Sequence, residues 1–459
     1  MVISLLLQAQ CQTKVRLKNN DEDLLMKKIA YVIPAFPVAS ETFITTEMKA
    51  LMGVGHKIQG ICFERRSETC QVGDEQILET MLSTDNVSVL SLISLFYIAL
   101  IKFLSSGFKA FNFAFKQQGI RPRSLLLHGF KLAYLIHTTH CQHVHAHFAQ
   151  SSAATAIVAA RLLGISVSFT GHGSDVYKSP SDLSLKLQNA DFAVAVCKRM
   201  QNDFKNLSPA VHAHNVPCGI DMNFFKQPFA VNTLPQGPHQ KLLYLGRISE
   251  TKGVPHLLQA LAKLPVSIRP SIDIAGDGVM RLEVEQMAKD LGISSSVTFL
   301  GAVSRTWIKS HCSQYAAMVL PFCQVRGGIM DTGPLVIKEA LALRLPLLTT
   351  DIMATGEFVD SSCAFVSKSS DPEDLARTLL KLLIGLNHVR PGDIEMDFEA
   401  LKKKLGPRIE ELRPLLLQTE SSDIVTKKVE FGFQKVMMQF SSKQQGLSLS
   451  VLFQAYGVQ

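Results

Sequence analysis

The chain has 459 residues, which allows two or three domains at roughly 100–200 residues each. Apolar residues make up 47% and charged residues 19%, which excludes extended disorder, and the ordinary Gly and Pro content excludes collagen-like and low-complexity classes. The formal net charge is +8, from 47 basic and 39 acidic side chains, and it is unevenly spread. No Asp or Glu occurs between Asn86 and Ser174, while Lys102, Lys109, Lys116, Arg121, Arg123, Lys131 and Arg161 all lie there. The nine cysteines are scattered and form no CxxC, which predicts free thiols in a reducing cytosol rather than a disulfide framework or a thiolate zinc site.

In chain order, MVISLLLQAQCQTK lacks the positive n-region of a signal peptide, so residues 1–26 read as an extension. KIAYVI, ending at Pro34, reads as a strand, followed by a helix from Glu41 to about Met52 and a second strand in HKIQGICF. The pattern returns with HVHAHF as a strand, SSAATAIVAARLLG as a helix closed by Gly164, and ISVSFTGHG and AVAVCK as strands. QPFAVNTLPQGPHQ reads as a linker, and a second strand–helix alternation starts at Lys241 with KLLYLGRI. It continues through VPHLLQALAKL, SIDIAGDG, MRLEVEQMAKDLGI, SVTFLG, AAMVLPF, PLVIKEALAL, PLLTTD and PEDLARTLLKLLIGL. The predicted fold is therefore α/β, with two Rossmann-like domains facing a central cleft. Residues 27–225 form the first domain, 226–240 the linker and 241–390 the second domain. Residues 391–459 form a tail in which two amphipathic helices are plausible but the end, SSKQQGLSLSVLFQAYGVQ, shows no pattern.

Ligands of such sheets bind beyond the carboxyl ends of the strands, so the cleft is the expected site. In LGRISETKG, Arg247 and Lys252 fall in a strand-to-helix loop at that edge, where they suit a phosphate unless they are merely solvated cations. In DTGPLVIKEALA, Asp331 lies in the loop and Glu339 lies inside the helix that Gly333 and Pro334 open. Two acids there suit sugar hydroxyls, although a plain amphipathic helix with one surface Glu has the same pattern.

The order LGR…KG, IAGDG, GP…KEALA and GEFV resembles the nucleotide-sugar domain of retaining glycosyltransferases of family four, which have the GT-B architecture. FPVASETFI, VHAHFAQSSAATA, SFTGHGSDVY and VPCGIDMNFF are similar to the exopolysaccharide and colanic-acid branch, and the resemblance covers about residues 27–385. It implies a metal-independent enzyme with a nucleoside diphosphate sugar as co-substrate and no other cofactor. Arg247, Lys252, Gly333, Pro334 and Glu339 would bind the donor. His172, Asp331 and Glu339 would be catalytic, and Ser40, Glu41, His147 and Asp175 would line the acceptor side. The implied acceptor is a lipid-linked or other oligosaccharide at an anionic membrane surface, on the cytoplasmic face. Asp331, Thr332 and Arg344 depart from the Glu, Gly and Gly of that pattern, so a non-catalytic nucleotide-sugar-binding or assembly protein is the alternative.

Three further patterns are set aside. His137, His140, His143, His145 and His147 cluster, but no acid lies nearby in the sequence to orient an imidazole toward a metal. GVGHKIQG sits between a helix and a strand, the reverse of a dinucleotide fingerprint. The basic segment is interleaved with aliphatic runs rather than a groove-lining pattern, so nucleic acid is not an expected partner. Its most apolar part, Val87–Leu104, reads as an interfacial helix with basic followers or as an internal helix packed on the sheet.

Overall fold

The computed structural model describes residues 28–38, 41–67, 73–88, 106–178, 180–225, 241–325, 331–352, 355–389, 391–412 and 421–456. Ser40, the linker 226–240, Lys102 and most of the apolar run Val87–Leu104 lie outside the described residues.

Seven parallel strands form the first sheet: β1 (Lys28–Phe36), β2 (Lys57–Arg65), β3 (Leu82–Ser83), β4 (His143–His147), β5 (Ser166–Gly171), β6 (Phe192–Ala195) and β7 (Ala213–Asn215). Their order is β3-β2-β1-β4-β5-β6-β7. β1 does not stop at Pro34 as the sequence suggests. Its pairing with β4 runs as far as Val32 with Ala146, and beyond that it pairs with β2 through Ala35 and Phe36. A proline is tolerated where one side of the strand has no ladder to complete.

The second sheet has six parallel strands: β8 (Lys241–Leu245), β9 (Ile272–Ala275), β10 (Val297–Gly301), β11 (Tyr315–Leu320), β12 (Leu347–Thr350) and β13 (Phe365–Ser367), in the order β10-β9-β8-β11-β12-β13. Both sheets are doubly wound, and the winding reverses between β1 and β4 in one and between β8 and β11 in the other. Loops leaving neighbouring strands diverge at such a point and open a crevice. Arg247 and Lys252 follow β8 and Asp331 follows β11, while Glu41 follows β1 and His147 ends β4.

The tail is more ordered than its sequence suggests. Helix Ser421–Gln439 packs on the second domain, and helix Ser442–Tyr456 crosses back to lie against helix Thr42–Gly53 of the first. The backbones approach closely, since a Cβ on Gly446 would come within 2.9 Å of the Ala50 carbonyl. The crossing is fixed by Gly219 N–H donating to Gln445 Oε1 at 2.7 Å, by His56 with Ser450 at 2.9 Å, and by His214 with the Tyr456 hydroxyl at 2.9 Å. Among the described residues no helix is long and apolar enough to cross a membrane.

Candidate functional site

One wall of the crevice belongs to the second domain. Lys252 Nζ lies 2.9 Å from Asp331 Oδ2 and 4.9 Å above the Phe322 ring. Gly253 makes this turn possible: its φ is +69°, and a Cβ there would stand 1.7 Å from the Pro321 carbonyl oxygen. Arg247 is exposed, and its carbonyl accepts from the Tyr244 hydroxyl at 2.9 Å. Burial, reinforced by Asp331, pushes the Tyr244 phenol up, so it remains a proton donor. Gly333 and Pro334 lead into helix Leu335–Ala342, with Gly333 set against the Phe358 ring. That helix presents its N-terminus to the crevice, the polarity an anion favours.

The two acids keep separate partners. Asp331 pairs with Lys252, whereas the carboxylate of Glu339 faces Arg305 Nε at 4.0 Å. Burial pushes the Glu339 carboxyl up, and Arg305 partly opposes this. Arg305 is a site residue that sequence reasoning missed. It stacks 4.5 Å over Phe224 and 4.9 Å over Phe225, at the end of the first domain. Its position just after β10, at the carboxyl edge of the sheet, is the signal that could have found it.

The other wall is built of histidines. His143, His145 and His147 alternate along β4 and share one face, as strand geometry requires. His145 is bonded to Ser168 Oγ at 2.7 Å and Thr170 Oγ1 at 2.9 Å, and His147 Nδ1 lies 3.1 Å from His172 Nε2. Burial holds the His145 and His172 imidazoles well below the ordinary histidine range, and neighbouring histidines add to this. Phe43 and Phe148 pack on the His172 ring at centroid distances of 4.6 and 4.8 Å. Phe148 has φ +70°, an unfavourable conformation for a side chain of this size.

Asp175 is a structural anchor in this wall. It is buried, and it accepts from Ala149 N–H at 2.6 Å and from His172 N–H at 2.9 Å, tying the turns after β4 and β5 together. Burial raises its carboxyl and these bonds resist the rise. Glu41 precedes helix Thr42–Gly53, and its carbonyl accepts from Ile44 N–H at 3.1 Å.

The walls meet beside His172. A Cβ on Gly173 would lie 3.1 Å from Thr332 Oγ1, so the His172 turn abuts the Asp331–Thr332 loop. Glu357 accepts from the backbone N–H groups of Lys198 and Arg199 at 2.8 and 3.3 Å, capping a helix of the opposite domain. Lys338 Nζ donates to the Cys218 carbonyl at 2.6 Å, and burial pushes its amine down to about 8.

Contrary to the expectation from the sequence, an acid does stand beside the histidines. Glu47, brought in by helix Thr42–Gly53, places Oε1 3.2 Å from His147 Nε2 and 3.8 Å from His145 Nε2. Atoms of these three buried residues lie within 4.8 Å of one another and could hold a metal ion.

Residues 40–224 match the family described as Glycosyltransferase Family 4, and residues 228–388 match Glycosyl transferases group 1. Each half of the chain thus matches a glycosyltransferase family, and the fold is that of GT-B glycosyltransferases. It is 26% identical over 251 residues to the putative teichuronic acid biosynthesis glycosyltransferase TuaC of Bacillus subtilis, covering 52% of this chain and 60% of that one. It is 32% identical over 120 residues to the alpha-D-kanosaminyltransferase of Streptomyces kanamyceticus, covering 26% of this chain and 30% of that one. The matches thus span 60% or less of these two relatives. Among solved structures, Anabaena HepE in complex with UDP superposes with a TM-score of 0.62 at 14% identity, covering 94% of this chain and all of that one.

Proposed function

We propose that this glycosyltransferase transfers a sugar, with retention and without a metal, from a nucleoside diphosphate sugar to a lipid-linked saccharide at an anionic membrane face, in exopolysaccharide or cell-surface glycan synthesis. One juxtaposition carries the reading: Lys252 and Asp331 meet at the switch point of the second domain, and the loop of Asp331 abuts the His172 turn of the first. Departure of a diphosphate requires stabilisation of its developing negative charge. Lys252, Arg247 and the N-terminus of helix Leu335–Ala342 supply that charge from the chain itself. Bound diphosphate takes the place of Asp331 on Lys252, and the released Asp331 carboxylate is then free to accept from a sugar hydroxyl. Glu339, with its raised affinity for a proton, faces the ribose.

The membrane part of the proposal rests on helix Ser106–Lys116. It exposes Phe108 (72%) and Phe115 (65%) one heptad apart, each followed by a lysine, Lys109 and Lys116. Rings that enter the interface beside amines that meet anionic headgroups make a peripheral anchor. The charge is not all gathered there, since Arg161 turns inward to Asn189. A thermal-shift panel of nucleotide sugars, followed by donor hydrolysis with and without membrane lipid extract, tests the whole reading. Stabilisation by one donor and turnover stimulated by lipid is the expected result. Binding without turnover under any condition selects the non-catalytic alternative instead.

A further inference from the structure

A buried polar chain runs from the last helix to His172, hydrogen-bonded at both ends and joined in the middle by the approach of Glu47 to His147 Nε2, which has no hydrogen-bond partner. Gln445 Nε2 donates to Glu47 Oε2 at 2.5 Å, and Tyr31 donates to Glu47 Oε1 at 2.5 Å. Glu47 Oε1 lies 3.2 Å from His147 Nε2, and His147 Nδ1 lies 3.1 Å from His172 Nε2. Tyr31, Glu47, His147 and Gln445 are all buried, and His172 keeps only an edge exposed. His145 also faces Glu47, but both of its nitrogens already have hydroxyl partners on β5.

The Glu47 carboxylate selects one arrangement of protons along this chain. Glu47 takes donors on both oxygens, as a carboxylate does. A lone pair on His147 Nε2, 3.2 Å from Glu47 Oε1 and with no other partner, would be repelled by the carboxylate, so the charge favours the proton on Nε2 and leaves Nδ1 bare. His172 must donate to that nitrogen from its own Nε2, which leaves its Nδ1 as a lone-pair acceptor. We infer that Glu47 is a positioning residue, clamped by Gln445 of the last helix, that fixes His172 as the Nε2–H tautomer and so sets which hydroxyl it can meet in the cleft. Burial keeps His172 neutral and the Tyr31 phenol protonated, which is consistent with this arrangement. The ligand class follows: the Nδ1 lone pair accepts from a saccharide hydroxyl and does not donate to a carboxylate or phosphate. Helix Ser442–Tyr456 becomes part of the acceptor wall, so its detachment would release the histidine pair.

The tautomer is independent of the glycosyl-transfer reading, whereas its effect on turnover rests on that reading. The full-length chain with ¹⁵N-labelled histidine, studied by two-bond proton–nitrogen correlation with His172→Gln as the assignment control, should show a pyrrole-like Nε2 and a pyridine-like Nδ1 for His172. The opposite tautomer, an imidazolium, or one equivalent of metal in the purified protein overturns the inference, the last because Glu47, His145 and His147 would then be ligands. In the second arm, Glu47→Gln is compared with the double variant Glu47→Gln/Gln445→Glu. The exchange of amide and carboxylate restores the clamp and should return the melting temperature to within a few degrees of the parent. His147 still faces a neutral carbonyl, which holds a proton less firmly than a carboxylate. Turnover in the double variant should therefore stay about 10-fold down, with donor KM within about twofold of the parent. Full turnover in the double variant shows that Glu47 is purely structural. If no nucleotide sugar is ever turned over while the tautomer is as stated, the enzymatic reading fails and the proton assignment stands.

Discussion

The two walls of the crevice are made of opposite materials. The first domain offers imidazoles and a buried carboxylate that already have hydrogen-bond partners, with Phe43 and Phe148 packed on His172. The second offers charged side chains nearer to water: Lys252 and Asp331 retain 14% and 26% of their side-chain exposure, and Arg247 is exposed. A dry, pre-bonded wall fixes geometry at no cost when substrate arrives. A wet wall of paired charges can exchange partners. The difference teaches that orientation is stored in the first domain and exchangeable charge in the second. Substitutions in the first should therefore alter turnover, and substitutions in the second should alter affinity.

The largest expected effect tests the first half of that division. His172→Ala should lower turnover about 100-fold or more while leaving nucleoside diphosphate affinity within about threefold. Steady-state kinetics beside calorimetric titration measures both. An equal loss in both quantities would erase the distinction between the walls. Next in size is Lys252→Ala, which should weaken nucleoside diphosphate binding by roughly 1.5–3 kcal/mol, the scale of a hydrogen bond to a charged group. Unchanged affinity would mean that Lys252 serves only Asp331.

The membrane face comes third, and it sharpens the comparison by asking whether the first domain also carries exchangeable charge. Each exposed lysine near anionic lipid contributes about 1 kcal/mol, so Lys109→Gln with Lys116→Gln should reduce vesicle co-sedimentation roughly 30-fold. Binding should need anionic lipid and should fall as salt shortens the field. Retention of binding by the double variant would leave Phe108 and Phe115 as the anchor, and loss in Phe108→Ser/Phe115→Ser would confirm that.

Legibility in the sequence divides along the same line. The strands, the turn glycines and the loops at the carboxyl edge depend on local pattern, so Lys252, Asp331, His147 and His172 are legible from the amino-acid order alone. The pairings are not. Nothing local says that Lys252 reaches Asp331 while Glu339 faces Arg305. Glu47 and Gln445 lie 398 positions apart and become meaningful only together. The last helix escapes notice because its buried face mixes Gln445, Gly446 and Ser450 with Leu449 and Phe453, which blurs the apolar period. Polar residues occupy that face because they bond to the first domain.

The dry wall should also show itself in pH dependence. His145 and His172 titrate below the ordinary histidine value in the fold and near it, about 6.5, when unfolded. Below that value the unfolded chain binds protons that the folded wall refuses. Stability is therefore fully present above about pH 6.5 and is lost as pH falls, by up to about 1.4 kcal/mol per pH unit for each histidine. Denaturant titrations at pH 7.5 and 5.5 measure this loss, and His145→Gln should reduce it. An unchanged slope would mean that the imidazole is charged in the fold and that the wall is not dry.

The smallest effect concerns Arg344, where the chain departs from the glycine of the related pattern. Its φ is +54°, in the left-handed region that costs a side chain about 1 kcal/mol. The guanidinium stacks 3.7 Å above Phe433 and lies 3.4 Å from Glu430, both on helix Ser421–Gln439. These contacts offset the backbone cost and tie the tail to the end of helix Leu335–Ala342, whose N-terminus meets the cleft. Arg344→Ala keeps the strained backbone and loses the contacts, so it should destabilise by about 1–2 kcal/mol. Arg344→Gly loses the same contacts but relieves the strain, so it should be within about 1 kcal/mol of the parent. The gap of about 1 kcal/mol between the two variants measures the backbone term directly, and equal melting temperatures would show that Arg344 carries no strain. Turnover should be unchanged in both, because the residue touches neither wall.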